Sequence, residues 1–265
     1  MQTHALASRA DPAHEFAKLP HTMPMNRRTA LQMLSAAAYL SLASRAGGAW
    51  AARRKIKPDA ASVLLVVDVQ NCFMPGGTLP VPHGEDVVPV INRIAPAFVN
   101  VVLTQDWHPA GHASFASAHP GRKPFETIKL AYGEQVLWPD HCVQGSADAA
   151  FDKAVNVPHA ELIVRKGTHR DIDSYSAFQE ADRKTPTGLE GYLKQRDIKR
   201  VFVTGLATDF CVAWTALDAR KARFQSYVIE DACRGIDLNG SLAAAWKHMA
   251  QRGVQRIQST DIELG

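Results

Sequence analysis

The sequence has no basic run interleaved with aromatic side chains, although its 265 residues carry a formal net charge of +4. Its Lys and Arg are scattered through the body of the chain, which does not suit nucleic-acid binding. No apolar run is long enough to span a bilayer. The four cysteines, Cys72, Cys142, Cys211 and Cys233, form no CxxC pair and no zinc-finger spacing. There is no HExxH segment. There is no internal repeat and no sign of a second domain. A hydrophobic share of 46% excludes a disordered chain and is enough for one packed core.

The N-terminus differs in kind from the rest. Residues 1–24 have no clear periodicity. Met25–Asn–Arg–Arg–Thr–Ala–Leu–Gln32 is followed by an Ala-rich apolar segment from Met33 to Ala43 and by Ala49–Trp–Ala51, a small-x-small pattern. The order of basic pair, short apolar run and small-residue site is that of a twin-arginine export signal, with Arg27 and Arg28 as the pair. On this reading residues 1–51 are an extension and signal, Met25 is a candidate start, and 52–265 form the mature domain. The expected location is then periplasmic, or cytoplasmic if the signal does not function.

Apolar runs set the order of elements in the body. Ser62–Val69 is continuously apolar, as a strand buried on both faces is. Helical spacing follows over Asp86–Phe98, and Asn100–Thr104 is a second strand. The stretch from there to about Ala160 is irregular and rich in Pro, Gly and His, with helical turns expected near Ala147–Ala154. So long a loop is usually functional, and its aromatic and His content suits an ordered cover over a site. Glu161–Arg165, Arg200–Thr204, Gln225–Ile229 and Val254–Ile257 read as further strands. Gly188–Gln195, Asp209–Lys221 and Leu242–Gln251 read as helices. Alternating strands and helices predict a three-layer α/β/α fold with a mostly parallel central sheet. Ligands of such sheets bind beyond the carboxyl ends of the strands. Asp68, Asp106, Lys166 and Cys211 each fall at such an end.

Two constellations follow. The first is Asp68, Lys166 and Cys211. Thr208 reads as an N-cap, which puts Cys211 in the first turn of a helix, where free amides and the dipole favour a thiolate. No His lies near Cys211 in sequence, so Asp68 is the candidate proton acceptor and Lys166 the candidate cation. The second is Asp106–x–His108–x–x–x–His112, with His141 further along. Alternate residues of an extended segment face one side, so Asp106 and His108 can converge, and the Pro-Ala-Gly turn at 109–111 can return His112. Mixed imidazole and carboxylate ligands suit one divalent transition ion, with zinc first and iron or manganese as alternatives.

These segments together resemble the isochorismatase-like cysteine hydrolases, and within them are most similar to the nicotinamidases. The resemblance runs from about Ser62 to Ile257. It is carried by Val67–Asp–Val–Gln–Asn71, Thr104–Gln–Asp–Trp–His–Pro–Ala–Gly–His112, Trp138–Pro–Asp–His–Cys–Val–Gln–Gly145, Arg165–Lys–Gly–Thr168, Asp173–Ser–Tyr–Ser–Ala–Phe178 and Thr204–Gly–Leu–Ala–Thr–Asp–Phe–Cys–Val212. It implies a catalytic triad of Asp68, Lys166 and Cys211 and a metal set of Asp106, His108, His112 and His141. It implies a cis peptide at Leu206–Ala207, with the Ala207 and Cys211 amides as oxyanion hole. Phe73, Trp138 and Tyr175 would line the pocket of a small-molecule substrate, and a homo-oligomer is compatible with the family. Where the family often has an acidic residue after Gln70–Asn71, this chain has Cys72. The implied activity is hydrolysis of nicotinamide, and of pyrazinamide with it, in pyridine-nucleotide salvage. The alternatives are another small amide, carbamate or ureido substrate, or a non-catalytic binding protein on the same fold.

Overall fold

The computed structural model describes residues 55–264, so the export-like segment lies outside the described residues. Six parallel strands form the central sheet in the order β5-β2-β1-β6-β7-β8. They are β1 (Ser62–Val67), β2 (Asn100–Asp106), β5 (Leu162–Lys166), β6 (Arg200–Leu206), β7 (Gln225–Arg234) and β8 (Gln255–Ile257). β1 is central, paired with β2 on one side and β6 on the other. Its side chains alternate. Leu64 and Val66 pack with Val87, Ile91 and Ile94 of α1 (Val87–Ile94). Val63, Leu65 and Val67 pack on the opposite face with Leu189 and Leu193 of α2 (Leu189–Gln195), Ala213 and Ala216 of α3 (Ala213–Lys221) and Met249 of α4 (Ser241–Gln251). Both faces of the sheet are thereby buried, as its unbroken apolar strands require.

The differences from the sequence reading have local causes. β1 stops at Val67 because Asp68 turns into the left-handed region at φ 50°. The helix expected to Phe98 ends at Ile94 and tightens into a 3-10 turn, Ala95–Ala97, around Pro96, whose ring cannot sit within a longer helix. β2, β6 and β7 run past their expected ends. The segment near Ala147–Ala154 forms turns and no helix. The long irregular stretch contains an unforeseen antiparallel hairpin of β3 (Thr127–Leu130) and β4 (Gly133–Val136). Its exposed and half-buried residues give no apolar strand run to detect.

Candidate functional site

Lys166, Asp106 and Asp68 stand at or just past the ends of the adjacent strands β5, β2 and β1. Cys211 stands just past β6, the next strand in the sheet. Gly205 in β6 has φ 105°, and a side chain there would collide with the Val67 carbonyl, so only glycine lets β6 close on β1 at this point. After β6 the chain makes the cis Leu206–Ala207 peptide. It then enters a π-helical turn, Thr208–Val212, that leads into α3. Ala207 precedes that turn, so Thr208 is its first residue and not its N-cap. The ordinary helix expected from Asp209 therefore begins only at Ala213.

Lys166 is fully buried. Its ammonium lies 2.8 Å from Asp68 Oδ2 and 3.4 Å from Cys211 Sγ, and it donates to Asp106 Oδ1 and, at 3.0 Å, to the Ser174 carbonyl. Asp68 Oδ1 accepts from the Thr104 hydroxyl at 2.5 Å. Asp68 Oδ2 has no aligned hydrogen-bond donor among the described residues. Burial raises the proton affinity of Asp68 and the nearby Asp106 charge adds to it, against the pull of Lys166. Burial also pushes the Cys211 thiol well up, and the opposing Lys166 charge does not cancel it. Desolvation thus works against the thiolate that the helix terminus favours. Lys166 pays its own desolvation but is held well above its ordinary value by Asp106 and Asp68, and so stays charged.

Asp106 Oδ2 lies 3.7 Å from His108 Nε2 and 3.7 Å from His141 Nε2. Burial opposes ionisation of Asp106, yet Lys166 and His108 hold its carboxyl well below the ordinary range. The far ring nitrogens face backbone carbonyls: His108 Nδ1 is 3.1 Å from Gly167 O, and His141 Nδ1 is 2.8 Å from Pro139 O. A carbonyl only accepts, so each ring carries a proton on Nδ1, which leaves its Nε2 to face Asp106. A buried carboxylate with two imidazole lone pairs is a fitting donor set for a transition ion. Gly167, at φ 64°, lets the His108 ring lie against it where any Cβ would clash.

His112 stands apart from this trio. Its ring lies 4.2 Å from that of His108, but its Nε2 faces the Ile172 carbonyl at 3.0 Å and its Nδ1 the Ser114 hydroxyl at 2.7 Å. Burial and His108 lower its pKa to about 4. It groups instead with His108 and Asp173.

Phe73, Trp138 and Tyr175 line one cavity with Cys211, Asp106 and His141. Trp138 Nε1 donates to the Tyr175 hydroxyl at 3.0 Å. Ala207 also lines it, and its amide donates to no acceptor among the described residues. Leu79, Asp173, Phe210 and Ile236 complete the walls, none of them given a role from the sequence. Two buried positioning groups were also missed. Gln70 brackets Asp106 through its backbone N–H (2.8 Å) and carbonyl (2.9 Å). Asp209 accepts from the Ile236 and Asp237 amides and the Ser241 hydroxyl at 3.0, 2.8 and 2.5 Å. Both lie in the segments that carry the family resemblance, which was their only signal.

The isochorismatase domain model matches residues 62–261. A nicotinamidase of Acinetobacter baylyi is 60% identical over 199 residues, which is 75% of this chain and 93% of that protein. A solved nicotinamidase/pyrazinamidase of Acinetobacter baumanii superposes with a TM-score of 0.76 at 64% identity, over 77% of this chain and 98% of its own. A pyrazinamidase of Pyrococcus horikoshii, solved in complex with zinc, gives a TM-score of 0.62 at 36% identity, over 75% of this chain and 99% of its own. With its six-stranded parallel sheet and this extent of matching sequence, the chain belongs to the isochorismatase domain family.

Proposed function

We propose that the chain is a nicotinamidase that hydrolyses nicotinamide to nicotinate and ammonia through a thioester on Cys211, with pyrazinamide as a second substrate. The observation that carries this reading is one aromatic-walled cavity lined by both the Cys211 thiol and the Asp106–His141 pair. The kinship with nicotinamidases supports the same substrate.

In the proposed reaction Asp68 Oδ2, which has no other aligned donor, takes the Cys211 proton as the sulfur attacks the amide carbon. A thiol held neutral until attack and a carboxylate of raised proton affinity suit this transfer. Lys166 remains charged beside both and offsets the negative charge on sulfur. The developing oxyanion sits on the Ala207 and Cys211 amides. Collapse expels the amine, which takes the proton from Asp68 and leaves as ammonia. Asp68 then takes a proton from water, hydroxide attacks the thioester, and the departing sulfur recovers that proton.

Asp106, His108 and His141 would hold a divalent ion, and His112 would join them only on release from the Ile172 carbonyl. Such an ion supplies a Lewis-acid contact for a ring nitrogen, fixing the ring so that its carboxamide faces Cys211. Ammonia release from a small amide panel tests the reading. Nicotinamide and pyrazinamide are expected to be turned over, and benzamide, which lacks a ring nitrogen, to be far poorer. Chelation or His108→Ala is expected to slow nicotinamide much more than benzamide. Equal rates on nicotinamide and benzamide would reject ring-nitrogen recognition. Turnover of a carbamate or ureido compound with nicotinamide inert would reject the substrate.

A further inference from the structure

Cys72 and Cys142 form a disulfide across 70 residues of sequence, with Cα atoms 5.6 Å apart and both side chains fully buried. The bond takes no part in the proposed chemistry, yet its two ends neighbour the ring-binding side of the cavity. Phe73 follows Cys72, His141 precedes Cys142, and their rings lie 5.7 Å apart. The Cys142 carbonyl accepts from the His108 amide at 3.1 Å. The Cys72 carbonyl accepts from the Leu79 amide at 2.9 Å. The disulfide therefore ties the turn bearing Phe73 and Leu79 to the backbone of both His108 and His141. A second tie runs beside it: Asp148 accepts from the Cys72 amide through its carbonyl (2.8 Å) and from the Cys142 amide through Oδ2 (3.3 Å).

We infer that the Cys72–Cys142 bond is a positioning element for the metal ligands and the ring pocket, and that a reductant loosens this side of the site while sparing the nucleophile. The His141 loop lies far along the chain from β2, beyond the β3–β4 hairpin, so besides the disulfide its freedom to move against Asp106 is restrained by non-covalent bonds, such as those between the His108 amide and the Cys142 carbonyl (3.1 Å) and between the Gln144 amide and the His108 carbonyl (2.9 Å). A covalent tether removes that freedom before an ion or a ring binds, so less ordering is left to pay on binding. Cys211, Lys166 and Asp68 hang from strand ends and do not depend on the tether. Opening the bond is a two-electron step: a dithiol gives two electrons and two protons, Cys72 and Cys142 become thiols, and the dithiol closes to a cyclic disulfide. The kinetic part of the inference rests on the nicotinamidase reading; the metal and redox parts do not.

The test compares the parent with Cys72→Ala, Cys142→Ala and the double variant. Zinc affinity is measured by competition with a chromophoric chelator, nicotinamide kinetics by ammonia release, and the pairing by mass spectrometry of unreduced protein. Each single variant is expected to hold zinc about tenfold more weakly, as loss of an outer support does. KM is expected to rise about tenfold with kcat within about threefold, as for loss of binding rather than of chemistry. The double variant should match the singles, because either change breaks the same bond. Should the variants fold poorly, the parent treated with a phosphine, which takes up water oxygen as it reduces the disulfide, should reach the variants' zinc affinity once both thiols are free. Unchanged zinc affinity, single effects that add in the double, or a fall in kcat at constant KM would each overturn the inference. So would free Cys72 and Cys142 thiols in protein of full zinc affinity. If nicotinamide is not hydrolysed at all, the zinc competition and the pairing still decide the question.

Discussion

Three side chains around one ammonium set the reactivity of Cys211, and their protonation gives measurable consequences. Cys211→Ala should lower turnover by roughly 10³-fold or more while melting within a few degrees of the parent, because a thiol is lost without a packing element. Lys166→Ala should cost about 10²–10³-fold, the scale of losing a preorganised charge at the reacting centre. The thiol is held well above its ordinary value of 9.0, chiefly by burial. Alkylation of the resting protein by iodoacetamide should therefore keep rising past pH 9, whereas a preformed thiolate would give a plateau below it. Asp68 works in the opposite sense. It must be ionised to accept a proton, and its affinity for protons is raised, first by burial. The acid limb of kcat/KM should lie above the ~3.9 of a free aspartate, with activity present above that limb and lost as pH falls through it. A limb at or below pH 4 in metal-saturated enzyme would remove Asp68 from the role.

The turn after β6 shows what could be read in advance and what could not. The strand–turn–helix around Cys211 was legible because a β-branched run, a glycine and a helical run follow one another. The π-helical turn was not, since it depends on how Ala207 and Val212 meet, as in the 3.1 Å bond from the Val212 amide to the Ala207 carbonyl. Asp68, Asp106 and Lys166 were legible because each falls at the carboxyl end of an expected strand, where such sheets bind their ligands. Gln70, Asp209 and the β3–β4 hairpin were not, because polar residues that serve a neighbour's backbone leave no periodic trace. His112 satisfies the spacing argument, yet the Ile172 carbonyl, 60 residues away, holds it. Asp209 gives the matching prediction. It ties the loop bearing Ile236, a cavity wall, to the turn bearing Cys211. Asp209→Ala should remove its part-buried bonds to the Ile236 and Asp237 amides and the Ser241 hydroxyl and destabilise the domain by about 1–2 kcal/mol in urea melts. It should raise KM more than it lowers kcat, and a variant with parental KM would limit Asp209 to folding.

Across the domain, the Cys72–Cys142 bond closes a loop of about 70 residues, and removing such a crosslink costs on the order of 2–5 kcal/mol. A bond of this kind persists in oxidising compartments, which accords with the export signal expected at Arg27 and Arg28. Replacing both with Lys should keep the protein in the cytoplasm, and N-terminal sequencing of exported protein should begin near Ala52. Cytoplasmic protein that retains residues 25–51 in unmodified cells would argue against export. The row of strand ends has a further consequence. Nucleophile, base and cation are cantilevered from one stiff slab, whereas most of the walls that meet the ring hang from surface loops. Rate and substrate range are therefore separate dials for selection. A lineage can trade the segment from the hairpin to Cys142 for another and inherit a new menu of amides with the engine untouched. A change within the slab stops every reaction at once.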